Sequence, residues 1–202
     1  MQKSVFDEVK DLISKRINYK ALKLSMCDVH HPGLFSLVID GTEHGSLTRV
    51  FIAFQDIKPF AIKLHSHTYN LKLAVVEGEF VHHTAKEIEN KDTHNIVRLD
   101  KYHYHSPLNN SDKSGFHYIS NNLYNLYDYR IPEGGEIYLS HNQIHTVSVS
   151  KGTMWIVKEL GKETDYNIVL GRKFETSDLY KSVEDPIKFL MYERFCKAIE
   201  SY

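Results

Sequence analysis

Cysteine is scarce in this 202-residue chain: it has two, Cys27 and Cys196, near opposite ends and in unlike contexts. They make neither a disulfide framework nor a CxxC site. An excess of charge of either sign is also missing, since 25 basic against 26 acidic side chains leave a net charge of −1. Without a basic footprint, no nucleic-acid partner and no anionic membrane partner is expected. No apolar run approaches the roughly 20 residues that a bilayer span needs. The opening MQKSVFDEVKDLISKR alternates charged with apolar residues and lacks the apolar core of a signal peptide. Internal repeats and low-complexity tails are absent. These absences lead us to expect one cytoplasmic, globular domain over residues 1–202. A chain of this length buries about 70% of its unfolded surface and needs no disulfide to hold a core. What it has in unusual number is histidine, with 13.

The two ends read as helical. Val5, Phe6, Val9, Leu12, Ile13 and Ile17 recur at three- and four-residue steps within an N-terminal helix segment (1–24). Ser4 suits its N-cap and Asn18 its terminator. In the C-terminal segment (176–202), Ser182 followed by Asp185 and Pro186 is a start signature. There Ile187, Leu190, Met191, Phe195, Ala198 and Ile199 form the apolar stripe. Between the ends the period falls towards 2. Strands are expected at 34–40, 47–54, 60–67, 70–83, 95–105, 116–120, 123–131, 136–140, 145–150, 153–160 and 166–171. Turns such as Asp40-Gly41, Glu77-Gly78, Asn109-Asn110-Ser111, Gly134-Gly135 and Lys151-Gly152 separate them. Many short strands with no helix between them predict an antiparallel sandwich or barrel over about 34–171. The Asn-, Tyr- and Lys-rich stretch 84–130 reads as an elaborated strand insert.

Two His-x-His pairs occur, His65-Ser66-His67 and His103-Tyr104-His105. Chance alone supplies about one such pair at this histidine content, so context must separate them. In a strand, residues two apart point to one side, which lets His65 and His67 converge on a cation. Gly78 follows in VVEGEF, and GGEIYLSHNQIHTVSV supplies His145 at the head of a distant strand. The tyrosine-rich setting of His103 and His105 reads as exposed strand. His82 and His83 are adjacent, so at most one of them points inward. His30, His31, His44, His94 and His117 read as structural or solvated.

Residues 47–160 resemble the cupin superfamily, whose motifs are G-x5-H-x-H-x3,4-E-x6-G and G-x5-P-x-G-x2-H-x3-N. His65, His67 and Gly78 match the first, and Gly134 and His145 the second. Ser140 stands in place of the proline, Asn142 in place of the internal glycine, and Val149 in place of the final Asn. Asn142 is a mild exchange if the turn is left-handed there. The resemblance implies a mainly β double-stranded β-helix, the cupin jelly-roll barrel, with the helices packed outside and His65, His67 and His145 as metal ligands. The glutamate position falls on Leu71 or Lys72, neither of them a usual ligand, which leaves three histidines alone. Among cupins that set is similar to the thiol dioxygenases and a few diketone dioxygenases, although the thiol dioxygenases' crosslinking cysteine has no counterpart here.

The resemblance thus implies a metal-dependent enzyme, an iron(II) dioxygenase acting on a small organic acid or thiol. Imidazole would equally accept zinc, nickel, manganese or copper. Strand parity with the ligands puts Lys63 and Tyr69 at the same cavity. Arg49, opposite in parity to Val50, Ile52 and Phe54, could clamp a carboxylate. His141, four residues before His145, is a further acid–base candidate beside Tyr69. Two other functions fit the same residues: a non-catalytic cupin binding a metabolite or sugar, and a metal-dependent isomerase or epimerase. A homodimer is the expected assembly, because two-fold pairs are the commonest symmetric state.

Overall fold

The computed structural model describes residues 3–89, 95–105, 115–171 and 181–202. His94, the Asn109-Asn110-Ser111 turn and positions 176–180 of the expected C-terminal segment lie outside them. In chain order the elements are α1 (Val5–Ile13), α2 (Tyr19–Leu22), β1 (Met26–Cys27), β2 (Leu34–Asp40), β3 (Thr48–Ala53), β4 (Leu64–His65), β5 (Tyr69–Glu77) and β6 (Phe80–Ile88). Then follow β7 (Ile96–Tyr104), β8 (Phe116–Ile131), β9 (Glu136–Leu139), β10 (Ile144–Val149), β11 (Met154–Lys162), β12 (Asn167–Leu170), β13 (Lys181–Ser182) and α3 (Asp185–Ile199).

All pairings are antiparallel. One sheet runs β13-β1-β2-β3-β11-β5-β9, and the other closes on itself as β10-β4-β12-β7-β8-β6. The main cores among the described residues follow from this arrangement. Alternate residues of the first sheet, among them Leu37, Val50, Ile52, Val76 and Ile156, pack beneath α1 and α3 against Val5, Val9, Phe195 and Ile199. The other face of that sheet meets the second sheet through Leu71, Leu73, Val75, Phe80, Val147, Trp155 and Val157. The second sheet then curls around Leu64, Ala85, Tyr124, Ile144 and Leu170. With both faces covered, β2 reads as the near-continuous apolar run LFSLVI instead of alternating. This is the mainly β jelly roll that the resemblance implied, with helices outside. No described helix is long and apolar enough to cross a membrane.

Several boundaries differ from expectation for local reasons. Ser4 caps α1 as expected, its Oγ accepting from the N–H of Asp7 at 3.0 Å. Asn18 does not end the first helix, which stops at Ile13 with Ser14 as its C-cap; instead it caps α2, its Oδ1 accepting from the N–H of Ala21. Ser182 is a strand residue paired with Met26, and α3 starts at Asp185 with Pro186 in its first turn. Ile187 and Leu190 face solvent, while Tyr192 takes the buried position beside Met191 and Phe195. The strand expected at 60–67 shrinks to Leu64–His65, because Phe60 adopts a positive φ of 62° and the N–H of Ala61 turns back to the carbonyl of Lys58. Conversely, 116–120 and 123–131 fuse into the 16-residue β8, which pairs with β7 along its first part and β6 along its second. The 84–130 stretch therefore supplies the strands that close the second sheet.

Gly78 turns β5 into β6 at a φ of +88°, where an added Cβ would meet Thr153 Oγ1 at 2.5 Å and Thr153 Cα at 2.8 Å. The left-handed backbone alone costs a side-chain-bearing residue about 1–2 kcal/mol. Gly78→Ala should therefore lower urea stability by at least that amount, and a variant unfolding at the wild-type midpoint would refute the turn assignment.

Candidate metal centre

Strand pairing sets the first two histidines side by side, since His145 of β10 is the direct cross-strand partner of His65 of β4. The intervening Ser66 is pinned to β12: its N–H donates to the carbonyl of Ile168 at 2.8 Å, and its Oγ accepts from the N–H of Ile168 at 2.8 Å. His67, just past β4, donates its backbone N–H to the carbonyl of His141 at 3.0 Å. His65 and His67 thus reach one side through an anchored extended tripeptide and not through a long regular strand. One ring nitrogen from each of His65, His67 and His145 falls in a set whose members all lie within 4.8 Å of one another. The Nε2 atoms of His67 and His145 are 2.8 Å apart. Two nitrogens each about 2.1 Å from a shared ion sit roughly 3 Å apart, so small ring rotations suffice to bring all three onto one centre.

The outward-facing nitrogens fix how the rings are presented. His65 Nδ1 lies 2.7 Å from the carbonyl of Lys63, an acceptor only, so Nδ1 carries the proton and Nε2 keeps its lone pair. His145 Nδ1 lies 2.9 Å from Nε2 of His82. Burial lowers the pKa of His65, and burial followed by mutual repulsion among the rings holds His67 and His145 well below the ordinary histidine value. Burial, with His83 adding to it, pushes His82 down to about 4. Near neutral pH these imidazoles are uncharged, which is the form that binds a metal.

No carboxylate joins them among the described residues. Leu71, at the glutamate position, is buried in the core between the sheets, and Lys72 points the opposite way, to Glu8 of α1 at 3.2 Å. The acid inside the barrel is Glu159, which accepts from Arg49 Nε at 3.2 Å and from the N–H groups of Gly45 and Leu47 at 2.6 and 3.3 Å. Burial would raise its pKa, but a hydrogen bond from His44, the charge of Arg49 and the Gly45 N–H together hold it below the usual carboxylate range. Sequence reasoning passed over Glu159. Its signal was parity, because it continues the inward face of Trp155 and Val157.

The other expected site residues are placed as follows. Arg49 faces the interior, opposite to Val50 and Ile52, but its guanidinium is buried against Glu159 and Ser36 Oγ and is not an open clamp. The parity argument for Lys63 fails because the chain before Leu64 is bent. Its side chain is exposed, and its carbonyl is the group that meets His65. Tyr69 heads β5 with its ring stacked on His67 at 5.5 Å. His141 sits in the 140–143 turn and supports His67 through its backbone, while its own N–H donates to Asn70 Oδ1 at 2.8 Å. Asn142 is not left-handed, so the mild-exchange argument does not apply. The turn is made instead by Ser140, whose carbonyl accepts from the N–H of Gln143.

Among the remaining histidines, His103 stacks on Tyr166 at 4.0 Å, beside His105 and away from the cluster. His30, read as structural or solvated, has a left-handed backbone (φ 62°) and brings its ring within 5.8 Å of that of His65. Of the adjacent pair, His82 is the one that turns to the cluster. His83 occupies the opposite face, between Asp128 Oδ1 at 2.5 Å and Ser148 Oγ at 2.8 Å. That trio resembles a nucleophile–base–acid chain. However, the N–H groups of Val149 and Ser150 next to Ser148 are spent on the carbonyls of Ile57 and Glu79 and are not free to serve as oxyanion donors. A cavity of about 440 Å³ opens beside His82, bordered also by Thr84, Tyr129, Tyr138 and Gln143.

The depressed histidines fix the sign of a pH effect. Unfolded histidine titrates near 6.5. Between that value and the lower folded pKa values the unfolded chain binds more protons, so stability is full above about pH 6.5 and falls as pH drops below it. The urea midpoint of metal-free protein should therefore decline from pH 7.5 to pH 5. A flat profile over that window would show that the rings are not buried neutral.

No family model matches the chain, and no curated protein matches it. Among solved structures, hydroxypropylphosphonic acid epoxidase from S. wedmorenis aligns at 10% identity over 68% of this chain and 56% of that one, with a TM-score of 0.38. The alignment thus spans little more than half of the epoxidase. The capsular polysaccharide assembling protein CapF from Staphylococcus aureus aligns at 13% identity over 80% of this chain and 32% of that chain, with a TM-score of 0.29. The Drosophila melanogaster CENP-C cupin domain aligns at 11% identity over 85% of this chain and all of that domain, also at 0.29. At such values the assignment rests on this chain's own features: its jelly roll and its three-histidine cluster fit a cupin metal site.

Proposed function

We propose that this protein is a metal-dependent cupin enzyme in which His65, His67 and His145 hold one divalent transition metal, iron(II) foremost, for dioxygen chemistry on a small organic acid or thiol. The observation that carries this reading is the neutral, all-imidazole donor set, with its nitrogens within 4.8 Å of one another and no carboxylate among them. When bound, such a metal supplies Lewis acidity and one-electron chemistry, and three protein ligands leave coordination positions open to substrate.

The chain's own residues have distinct parts in this reading. The carbonyl of Lys63 orients His65, and the His141 carbonyl fixes the backbone of His67. A neutral donor set leaves the cation's charge uncompensated, which favours a substrate that brings an anionic carboxylate or thiolate. Arg49 is already matched by Glu159, so it contributes a positive end to a buried dipole and not a free clamp. In this reading Tyr69, stacked on His67, is the first candidate to hold or move a proton beside the substrate, and His141 the second.

Protein purified without a histidine tag should carry close to one equivalent of iron, or accept it on anaerobic loading. It should then consume dioxygen with one member of a panel of small acids, thiols and diketones. His65→Ala should reduce that uptake at least a hundredfold. Uptake at the wild-type rate in this variant, or full iron binding by the triple variant lacking all three histidines, would refute the assignment.

A further inference from the structure

We propose that His82 is a positioning residue for His145: it accepts the Nδ1 proton of that ring and so holds the bare Nε2 towards the metal. This rests on the reading of His65, His67 and His145 as ligands. The geometry is two-sided. One edge of the His145 ring faces His82, Nδ1 to Nε2 at 2.9 Å, and the other faces His67, Nε2 to Nε2 at 2.8 Å. A neutral imidazole has one proton, and the nitrogen facing an ion must be bare, so the proton belongs on Nδ1 and His82 Nε2 must accept it. His82 then carries its own proton on Nδ1. Both residues are buried, at 3% and 5% exposure.

The fold fixes His82 in this role. It lies on β6 opposite Val147, two residues along β10 from His145, with both histidines on the inner face. Its neighbour His83 is tied on the outer face to Asp128 of β8 and Ser148 of β10, which locks the strand against the one-residue slip that would swap the two rings. The common partner for a metal-binding histidine is a carboxylate, a backbone carbonyl or water. An imidazole in that place orients the ring without adding negative charge, so the surroundings stay as neutral as the donor set. His82 also borders the 440 Å³ cavity, which leaves room for other side chains at this position.

The test uses the full chain and cobalt(II), whose visible absorption reports ligand geometry. His82→Phe, which removes the acceptor, should weaken cobalt affinity about 10- to 100-fold against a competing chelator and alter the absorption bands. His82→Gln, which can offer Oε1 to the same proton, should recover most of the affinity and the wild-type spectrum. In zinc-loaded wild-type protein, ¹⁵N NMR should show His145 protonated at Nδ1. Unchanged affinity and spectrum in His82→Phe, equal losses in both variants, or His145 protonated at Nε2 would each overturn this inference while leaving the three-ligand reading intact. A wild-type chain that binds neither cobalt nor zinc would overturn both.

Discussion

Burying several imidazoles together without an acid among them is the constraint from which the rest of the site follows. Each ring must give one nitrogen to the shared centre and find a partner for the other, most stringently His145, which is buried while His65 and His67 are partly exposed. The chain supplies those partners from different elements: the Lys63 carbonyl for His65 and a second imidazole, His82, for His145. Once these outer nitrogens are engaged, the inner ones can only point at one another. Their lowered pKa values follow from the same packing, because burial disfavours charging any one ring and a second charge would lie about 5 Å from the first.

The second buried polar unit, Arg49 with Glu159, shows why the barrel interior tolerates charge near such a cluster. A lone guanidinium there would be costly and would push the neighbouring rings further from protonation. With Glu159 opposite, and with the Gly45 and Leu47 N–H groups completing the carboxylate, the guanidinium is paired, although its charge still helps to lower the pKa of His67. The 41–46 loop is folded inward by those N–H contacts. It brings His44 over Tyr69, and Tyr69 over His67, so charge pairing in the barrel also stacks the wall of the histidine site.

Much of this was legible in the sequence, for identifiable reasons. The strands β2, β3, β9, β10 and β11 were readable because turn residues bound them tightly. His65, His67 and His145 could be grouped because their spacing resembles a two-part motif. The departure at Leu71 could be read for the same reason: a residue in the core between the sheets cannot also be a ligand. What stayed hidden depends on contacts between distant strands. Glu159 pairs with Arg49 across 110 positions, and His82 meets His145 across 63. Lys63 was misread because strand parity was extended through a segment that turns at Phe60. Parity is reliable only while the chain remains extended, and a positive φ in mid-run ends it.

The closure of the second sheet gives the histidine site its rigidity. β4 contributes only two residues, too few to be stable as a strand by itself, yet it carries His65 and leads into His67. It holds its place because β10 flanks it on one side and β12 on the other, and β12 is in turn held by the long β7–β8 hairpin that folds back to β6. The 84–130 stretch is thus the buttress that completes a ring of strands, and the apolar cluster around Tyr124 is what that ring encloses. A two-residue strand clamped from both edges can hold ring nitrogens within the few tenths of an ångström that coordination demands. A free loop with the same His-Ser-His sequence could not.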